Sequence, residues 1–183
     1  PTINWGDLKH QEFLLPPKEQ QAEIAKLLWA MDEVIQNNIQ IELSLKNYYS
    51  TLLDNLFSLE NKSWGYKNLF SLAHINNKSL NSRTDKKYQF KYLDLSSIEG
   101  PKVLGDMKLL SYEDAPSRAK RVVSDGSTVI ALVRPYQQSF VYLKHAQNII
   151  SSTGTAVIDA KENINSRFLF HQFFSKRFLT FCK

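Results

Sequence analysis

Forty consecutive residues, Lys18 to Phe57, contain neither glycine nor proline and are rich in Leu, Ile, Glu, Gln, Lys and Ala. Straight-chain and small side chains lose little freedom in a helix, so the stretch is predicted helical throughout. Pro16-Pro17 marks its start, because proline is tolerated at the first helical position, where its missing N–H is not needed. Glu19 and Glu23 sit where a negative charge favours the positive end of the helix dipole. At about 1.5 Å per residue the rod is roughly 60 Å long, more than one small domain can cover.

Its apolar spacing says what covers it. Ile24, Leu27, Met31, Val34, Asn38, Ile41, Leu45, Tyr48 and Leu52 follow one another in alternating steps of three and four, and only Asn38 among them is polar. That is coiled-coil patterning, and these nine residues are the expected helix interface. A second stripe, Leu28, Ile35, Tyr49 and Leu56, widens the buried face towards a further neighbour. Asn38 is a candidate for setting register or orientation, as a polar residue in such a seam does. No second heptad segment exists in the chain, so the expected partner is another copy or another protein.

Composition divides the chain in the same place. Residues 1–60 hold four Lys against nine acids, whereas residues 61–183 hold nineteen Lys and Arg against nine acids. An acidic helical part suggests a protein partner, and a basic globular part suggests a polyanion. Eleven Phe, eight Tyr and three Trp exclude low-complexity disorder, and the single cysteine, Cys182, excludes an internal disulfide framework. No apolar run approaches the roughly 20 residues of a membrane span, and residues 1–5 have no signal-peptide character. A cytoplasmic protein without a membrane partner is expected.

Beyond Lys62-Ser63-Trp64-Gly65, which breaks the helix, the pattern changes to short strands. Strands are predicted at Phe90–Leu95, Arg121–Val123, Thr128–Val133, Ser139–Leu143, Asn148–Ile150 and Thr155–Asp159. Ser166 to Phe181 carries Phe168, Leu169, Phe173, Phe174, Phe178 and Phe181 at helical spacing and reads as one helix with a core-facing aromatic stripe. The expected fold class is α+β: a long coiled-coil-forming helix plus a mixed α/β globular domain.

Catalytic constellations are missing from the pattern. His10, His74, His145 and His171 are scattered without metal-ligand spacing, and the six glycines form no phosphate loop. Asp54 with Glu60-Asn61-Lys62 is a nuclease-like grouping, but it ends a helix instead of lying on adjoining strands. Cys182 has no paired base and reads as a packing residue. The expectation is a non-enzyme, with no catalytic residues, no metal and no cofactor.

Cations, amides and hydroxyls concentrate instead in loops between the strands. One cluster runs from Lys78 to Lys87 and includes Arg83, Lys86 and Lys87; a second is Ser117-Arg118-Ala119-Lys120-Arg121; a third is Arg134-Pro135-Tyr136-Gln137-Gln138, followed by the hydroxyl-rich Ser151-Ser152-Thr153-Gly154-Thr155. Lys and Arg neutralise phosphates, while Arg and Gln can bond two atoms of a guanine or adenine edge. Arg83, Lys86, Lys87, Arg118, Lys120, Arg121, Arg134, Tyr136, Gln137, Gln138, Ser152 and Thr153 are therefore candidate contacts to double-stranded DNA. A competing reading keeps the helix as an oligomerisation element and has the basic domain bind RNA or another protein.

Several of these segments resemble the specificity subunits of type I restriction-modification systems. The join Phe13-Leu14-Leu15-Pro16-Pro17-Lys18-Glu19-Gln20-Gln21, continued by Ile24-Ala25, Leu28, Asp32 and Ile35, is similar to the start of that family's spacer helix. Trp64 and Leu69, Tyr92-Leu93-Asp94-Leu95-Ser96-Ser97-Ile98-Glu99-Gly100, Ala115-Pro116-Ser117-Arg118-Ala119, Val133-Arg134-Pro135 and Ser152-Thr153-Gly154 are similar to its target-recognition domain.

The resemblance implies a protein without an active site of its own. It would read part of a split DNA target and dock the modification subunits that methylate adenine and, through them, a restriction subunit. It also implies the division 1–17, a strip completing a recognition domain; 18–60, a spacer and dimerisation helix; and 61–183, a target-recognition domain. The family's plan has two recognition domains and two antiparallel helices. This chain has one of each, so a homodimer, pairing with a second half-subunit, or a fragment of a longer protein is expected.

Overall fold

The computed structural model describes residues 2–57 and 64–183, and the chain divides into two compact units, Pro1–Tyr49 and Ser50–Lys183. Of the helix break expected at 62–65, residues 62 and 63 fall outside the described residues, as does the expected boundary between 60 and 61.

In the first unit, one helical turn, α1 (Trp5–Leu8), starts at Asn4, whose side chain accepts the Gly6 N–H at 3.0 Å. Helix α2 then runs from Lys18 to Phe57, as the uninterrupted run requires, and its last turns, from Ser50 on, belong to the second unit. Its start is tied down by Gln21, whose side-chain amide donates to the Pro16 carbonyl at 2.7 Å while its own N–H donates to Pro17 at 3.0 Å. The two prolines therefore set the angle at which the chain enters the helix, and the glutamine holds it there. Ile24, Leu27, Met31, Val34, Ile41, Leu45, Tyr48 and Leu52 are all exposed in the single chain, as is Asn38. Lys46 and Glu42, one turn apart, pair at 2.7 Å on the exposed surface.

In the second unit, α3 (Leu69–Leu72) leads through β1 (Ala73–Ile75), β2 (Gln89–Leu93), β3 (Ile98–Glu99), β4 (Lys102–Val103), β5 (Lys108–Ser111), β6 (Ala119–Val123), β7 (Thr128–Ala131), β8 (Phe140–Tyr142), β9 (Ile149–Ser152) and β10 (Thr155–Ala160) to α4 (Ser166–Gln172) and α5 (Lys176–Phe181). Two four-stranded sheets result, in the orders β1-β10-β7-β8 and β5-β2-β9-β6, with β3-β4 as a separate hairpin. All pairs are antiparallel except β2 with β9.

Alternation along the strands stacks the layers. Val129, Val141, Val157, Leu93 and Ile149 point into one core together with Ile98 of the β3-β4 hairpin. Their neighbours on the strands, Ile130, Phe140 and Ile158, point the other way and meet Leu169, Phe170 and Phe173 of the helical end. On the second sheet Phe90, Tyr92 and Ile150 form a third core beneath the long loops. Both faces of the central strands are thus covered, which is why β7 and β9 are buried along their whole length and read as near-continuous apolar or small-residue runs.

Three expectations are corrected. The Phe90–Leu95 strand stops at Leu93, because Asp94 turns the chain by accepting the Leu95 N–H at 2.9 Å and opens a 3-10 turn at Leu95–Ser97. The strand expected to reach Val133 ends at Ala131. The single helix expected over 166–181 is two, since Ser175 caps a new helix by accepting from the Phe178 N–H. The aromatic stripe splits with it: Leu169 and Phe173 are buried, Phe174 and Phe178 partly so, but Phe168 and Phe181 are exposed, the latter by 83%.

Candidate nucleic-acid interface

The polar clusters lie far apart in sequence, and main-chain hydrogen bonds join them. Loop 76–88 runs beside β6: the Leu80 N–H donates to the Lys120 carbonyl at 2.8 Å, the Val122 N–H to Lys78 at 3.1 Å, and the Ser79 hydroxyl to Lys120 at 3.0 Å. At the start of β6 the Arg118 carbonyl accepts the Thr153 N–H at 2.8 Å. On the other side of the same turn, the Gly154 carbonyl accepts the Leu132 N–H at 3.0 Å, which tethers loop 132–138. The turn 153–154 thus links the second cluster to the third, and β6 links the second to the first.

The turn is made stiff by buried hydroxyls. Thr155 donates to the Ser152 carbonyl at 2.8 Å and lies 2.7 Å from the Ser151 hydroxyl, which also reaches the Leu93 carbonyl. Ser151, Ser152 and Thr155 are all buried. The Ser152 hydroxyl accepts the Gly154 N–H at 3.2 Å and so shapes the turn, leaving Thr153 as the exposed hydroxyl of the pair.

The candidate cations fall into two kinds. Arg83, Lys86, Lys87 and Arg134 are exposed, and no hydrogen bond or ion pair engages their side chains among the described residues. The loop holding the first three is folded on itself: Asn81 accepts the Arg83 N–H, Asp85 accepts the Lys87 N–H, each at 2.9 Å, and Tyr112 donates to the Asn81 carbonyl at 3.0 Å. The others are engaged. Arg118 donates to Asp94 and to the Tyr92 hydroxyl, each at 3.1 Å, and these two partners raise its pKa above the ordinary arginine value. Lys120 donates to the Tyr112 hydroxyl at 2.9 Å and lies over that ring. Arg121 has its Nε buried without a hydrogen-bond partner, at the point where β6 slips register against β9. Asp94 and Tyr112, which orient Arg118 and Lys120, carry no sequence signal beyond being one acid at a strand end and one tyrosine in a loop.

Loop 132–138 has an unusual backbone. Arg134 and Gln138 both occupy the left-handed region, with φ of 51° and 56°, on either side of a 3-10 turn at Pro135–Gln137. Side chains disfavour that region, so the surroundings must hold it. The result is to present Leu132, Val133, Arg134, Tyr136 and Gln137 outward together, with Gln138 half-buried. Exposed apolar side chains beside an arginine and two amides suit base edges as well as phosphates.

Among the described residues, no three His, Cys, Asp or Glu side chains group as a metal site. Asp54 is exposed on α2, and Glu60-Asn61-Lys62 lie outside the described residues. A cavity of about 920 Å³ beside α4 and α5 is lined by Trp64, Leu69, Phe168 and Phe178, and among the described residues its charged lining side chains are Lys67 and Arg177. Burial pushes the Cys182 thiol up, away from the reactive thiolate. None of the helices described is long and apolar enough to cross a membrane.

Likenesses to solved structures include the following two. The HsdS subunit from Thermoanaerobacter tengcongensis is similar at 27% identity with a TM-score of 0.53, over 59% of this chain and 28% of that one. A second chain, described with the complex assembly and conformational transition of the type I R-M system, is similar at 28% identity with a TM-score of 0.46, over 61% and 31%. The match spans less than a third of either solved chain. No protein-family model matches this chain, and no curated protein does. The first likeness shows an S-subunit-like fold with a single domain of that kind: a long helix with a mixed domain of sheets.

Proposed function

We propose that this chain is a DNA-reading specificity component of a type I restriction-modification complex. Its second unit meets one stretch of duplex and its long helix pairs with a counterpart, while methylation and cleavage take place on other subunits. The observation that carries the reading is the linkage of the three polar clusters, the first to the second through β6 and the second to the third through the turn 153–154, on a domain of HsdS-like fold. Arg83, Lys86 and Lys87, whose side chains meet no hydrogen-bond or ion-pair partner among the described residues, supply sequence-independent attraction to phosphates. Arg134, Gln137 and Gln138 supply choice of base, and Arg118 and Lys120 are held by Asp94 and Tyr112 at the rim.

The uncovered heptad face from Ile24 to Leu52 supports pairing with a second copy or a second specificity chain, which would set the distance between two readers. The strip 1–17, with Trp5, Phe13, Leu14 and Leu15 exposed, completes a recognition domain in this reading.

Duplex libraries with random cores test the reading directly. Bound fragments should share a motif, and affinity should fall with salt at a log–log slope of about −0.9 per phosphate contacted. Binding of structured RNA in preference to duplex would favour the competing view of an RNA-binding oligomer. Co-purification with an adenine-methylating subunit tests the docking role, and its absence under conditions where both are expressed would remove it.

A further inference from the structure

Loop 132–138 is held at one end by a contact that only glycine permits. A Cβ built on Gly100, at the tip of the β3-β4 hairpin, would stand 1.8 Å from the Gln138 carbonyl oxygen, 2.9 Å from its carbon and 3.0 Å from the Phe140 nitrogen. The two backbones therefore meet with no side chain between them. Restoring ordinary contact, from 1.8 Å to about 3.5 Å, would take a shift of roughly 1.7 Å.

Neither side can give much near the contact. Two residues past Gln138, Phe140 is completely buried, and its N–H donates back to the Gln138 carbonyl at 2.7 Å. Two residues before Gly100, Ile98 is locked in the core between the sheets. The far foot of the loop is fixed by the Ala131 N–H on Ser139 and the Leu132 N–H on Gly154, each at 3.0 Å. What remains to yield is the exposed span between, where Arg134 and Gln138 already hold left-handed conformations. Such conformations persist in non-glycine residues only while their surroundings enforce them. The Gly100 contact falls on one of the two.

We propose that Gly100 is a positioning residue for base selection: its bare backbone seats Gln138 and so sets the place from which Arg134, Gln137 and Gln138 meet the duplex. The inference rests on the DNA-reading function proposed above. It separates two properties that a merely structural glycine would lose together. Attraction to phosphate, set by Arg83, Lys86 and Lys87 on another loop, survives a displaced reading loop. Discrimination does not, because a bidentate bond to a base edge tolerates little displacement.

The test selects bound duplexes from a random-core library with the full wild-type chain and with Gly100→Ala, and measures affinity for the selected site and for an unrelated duplex. Gly100→Ala should keep its affinity for the unrelated duplex within about twofold, lose on the order of tenfold or more in the ratio of the two affinities, and blur the same base pairs that Arg134→Ala blurs. Gly65→Ala, where an added Cβ meets nothing within 4 Å, should be silent. Leu169→Ala, which loosens the helix-facing core, should lower the melting temperature without touching the motif. If Gly100→Ala does not fold, the double variant Gly100→Ala/Gln138→Gly, whose glycine lets the loop swing clear, is compared with Gln138→Gly alone and should discriminate less well. An unchanged motif and ratio in Gly100→Ala, or no difference between the double variant and Gln138→Gly, overturns the role of Gly100 while leaving DNA reading intact. A wild-type chain that selects no motif brings down both.

Discussion

Helix α2 and the sheet domain solve the problem of apolar surface in opposite ways. The domain closes on itself: each central strand sends alternate side chains into two cores, and Phe140, Val129 and Ile150 are fully buried. The helix leaves its heptad side chains in the open, with Leu45 61% and Tyr48 69% exposed, and buries only Leu53 near its end. A heptad face is narrow and long, so it is complete only when another long element lies along it. A sheet is broad and short, and a second sheet with two small helices suffices to cover it. The domain's core is complete within this chain, whereas the heptad face of the helix is the part for which a partner is proposed.

The sharpest way to break that contrast is to damage each part and watch the other. Phe140→Ala removes a ring packed edge-on against Phe174 and Phe178 at 5.6 and 6.0 Å. It should cost about 3–5 kcal/mol by urea unfolding of the domain and leave self-association unchanged. Leu45→Ala should do the reverse, weakening association in sedimentation or light scattering by roughly 2–5 kcal/mol once the seam is paired, with no change in the domain's own melting. A wild-type chain that stays monomeric at micromolar concentration without any partner would remove the self-pairing half of the comparison. Arg134→Ala should relax choice at one base pair by about 1–3 kcal/mol without affecting either stability; equal weakening on every sequence would assign it to phosphate instead. Lys46→Ala breaks an exposed one-turn pair with Glu42 and should cost no more than about 0.5 kcal/mol in thermal melts.

The sequence made the helix and the central strands legible for a physical reason: each has a local period. The gap-free heptad from Ile24 and the runs around Val129, Val141 and Val157 repeat within a few residues, and periodicity survives without tertiary information. β1 and the β3-β4 hairpin are too short to show a period, and they exist because β10 and the core between the sheets accept them. The divided C-terminal helix turned on one hydroxyl, that of Ser175, within an otherwise continuous aromatic pattern.

The candidate interface was legible as residue types but not as a place. Thr153 with Arg118, and Leu132 with Gly154, are joined through main-chain atoms across long stretches of sequence, and a backbone bond leaves no trace in side-chain identity. For the same reason Arg118 and Arg134 look alike in the sequence, although one is engaged by Asp94 and the other is not. Gly100 is equally silent there, because its importance lies in what stands opposite it.

The linkage of the loops through peptide groups carries a consequence for how such a molecule can change. Thr153, Arg118 and Leu132 keep their tethers whatever side chain they bear, apart from proline wherever the N–H is the donor. Under the proposed DNA-reading function, substitutions at those points and along Arg134–Gln137 would alter the text that is recognised while the binding of the page stays as it was. A new target would then be reached by a few replacements at the rim, with no refolding of the sheets beneath.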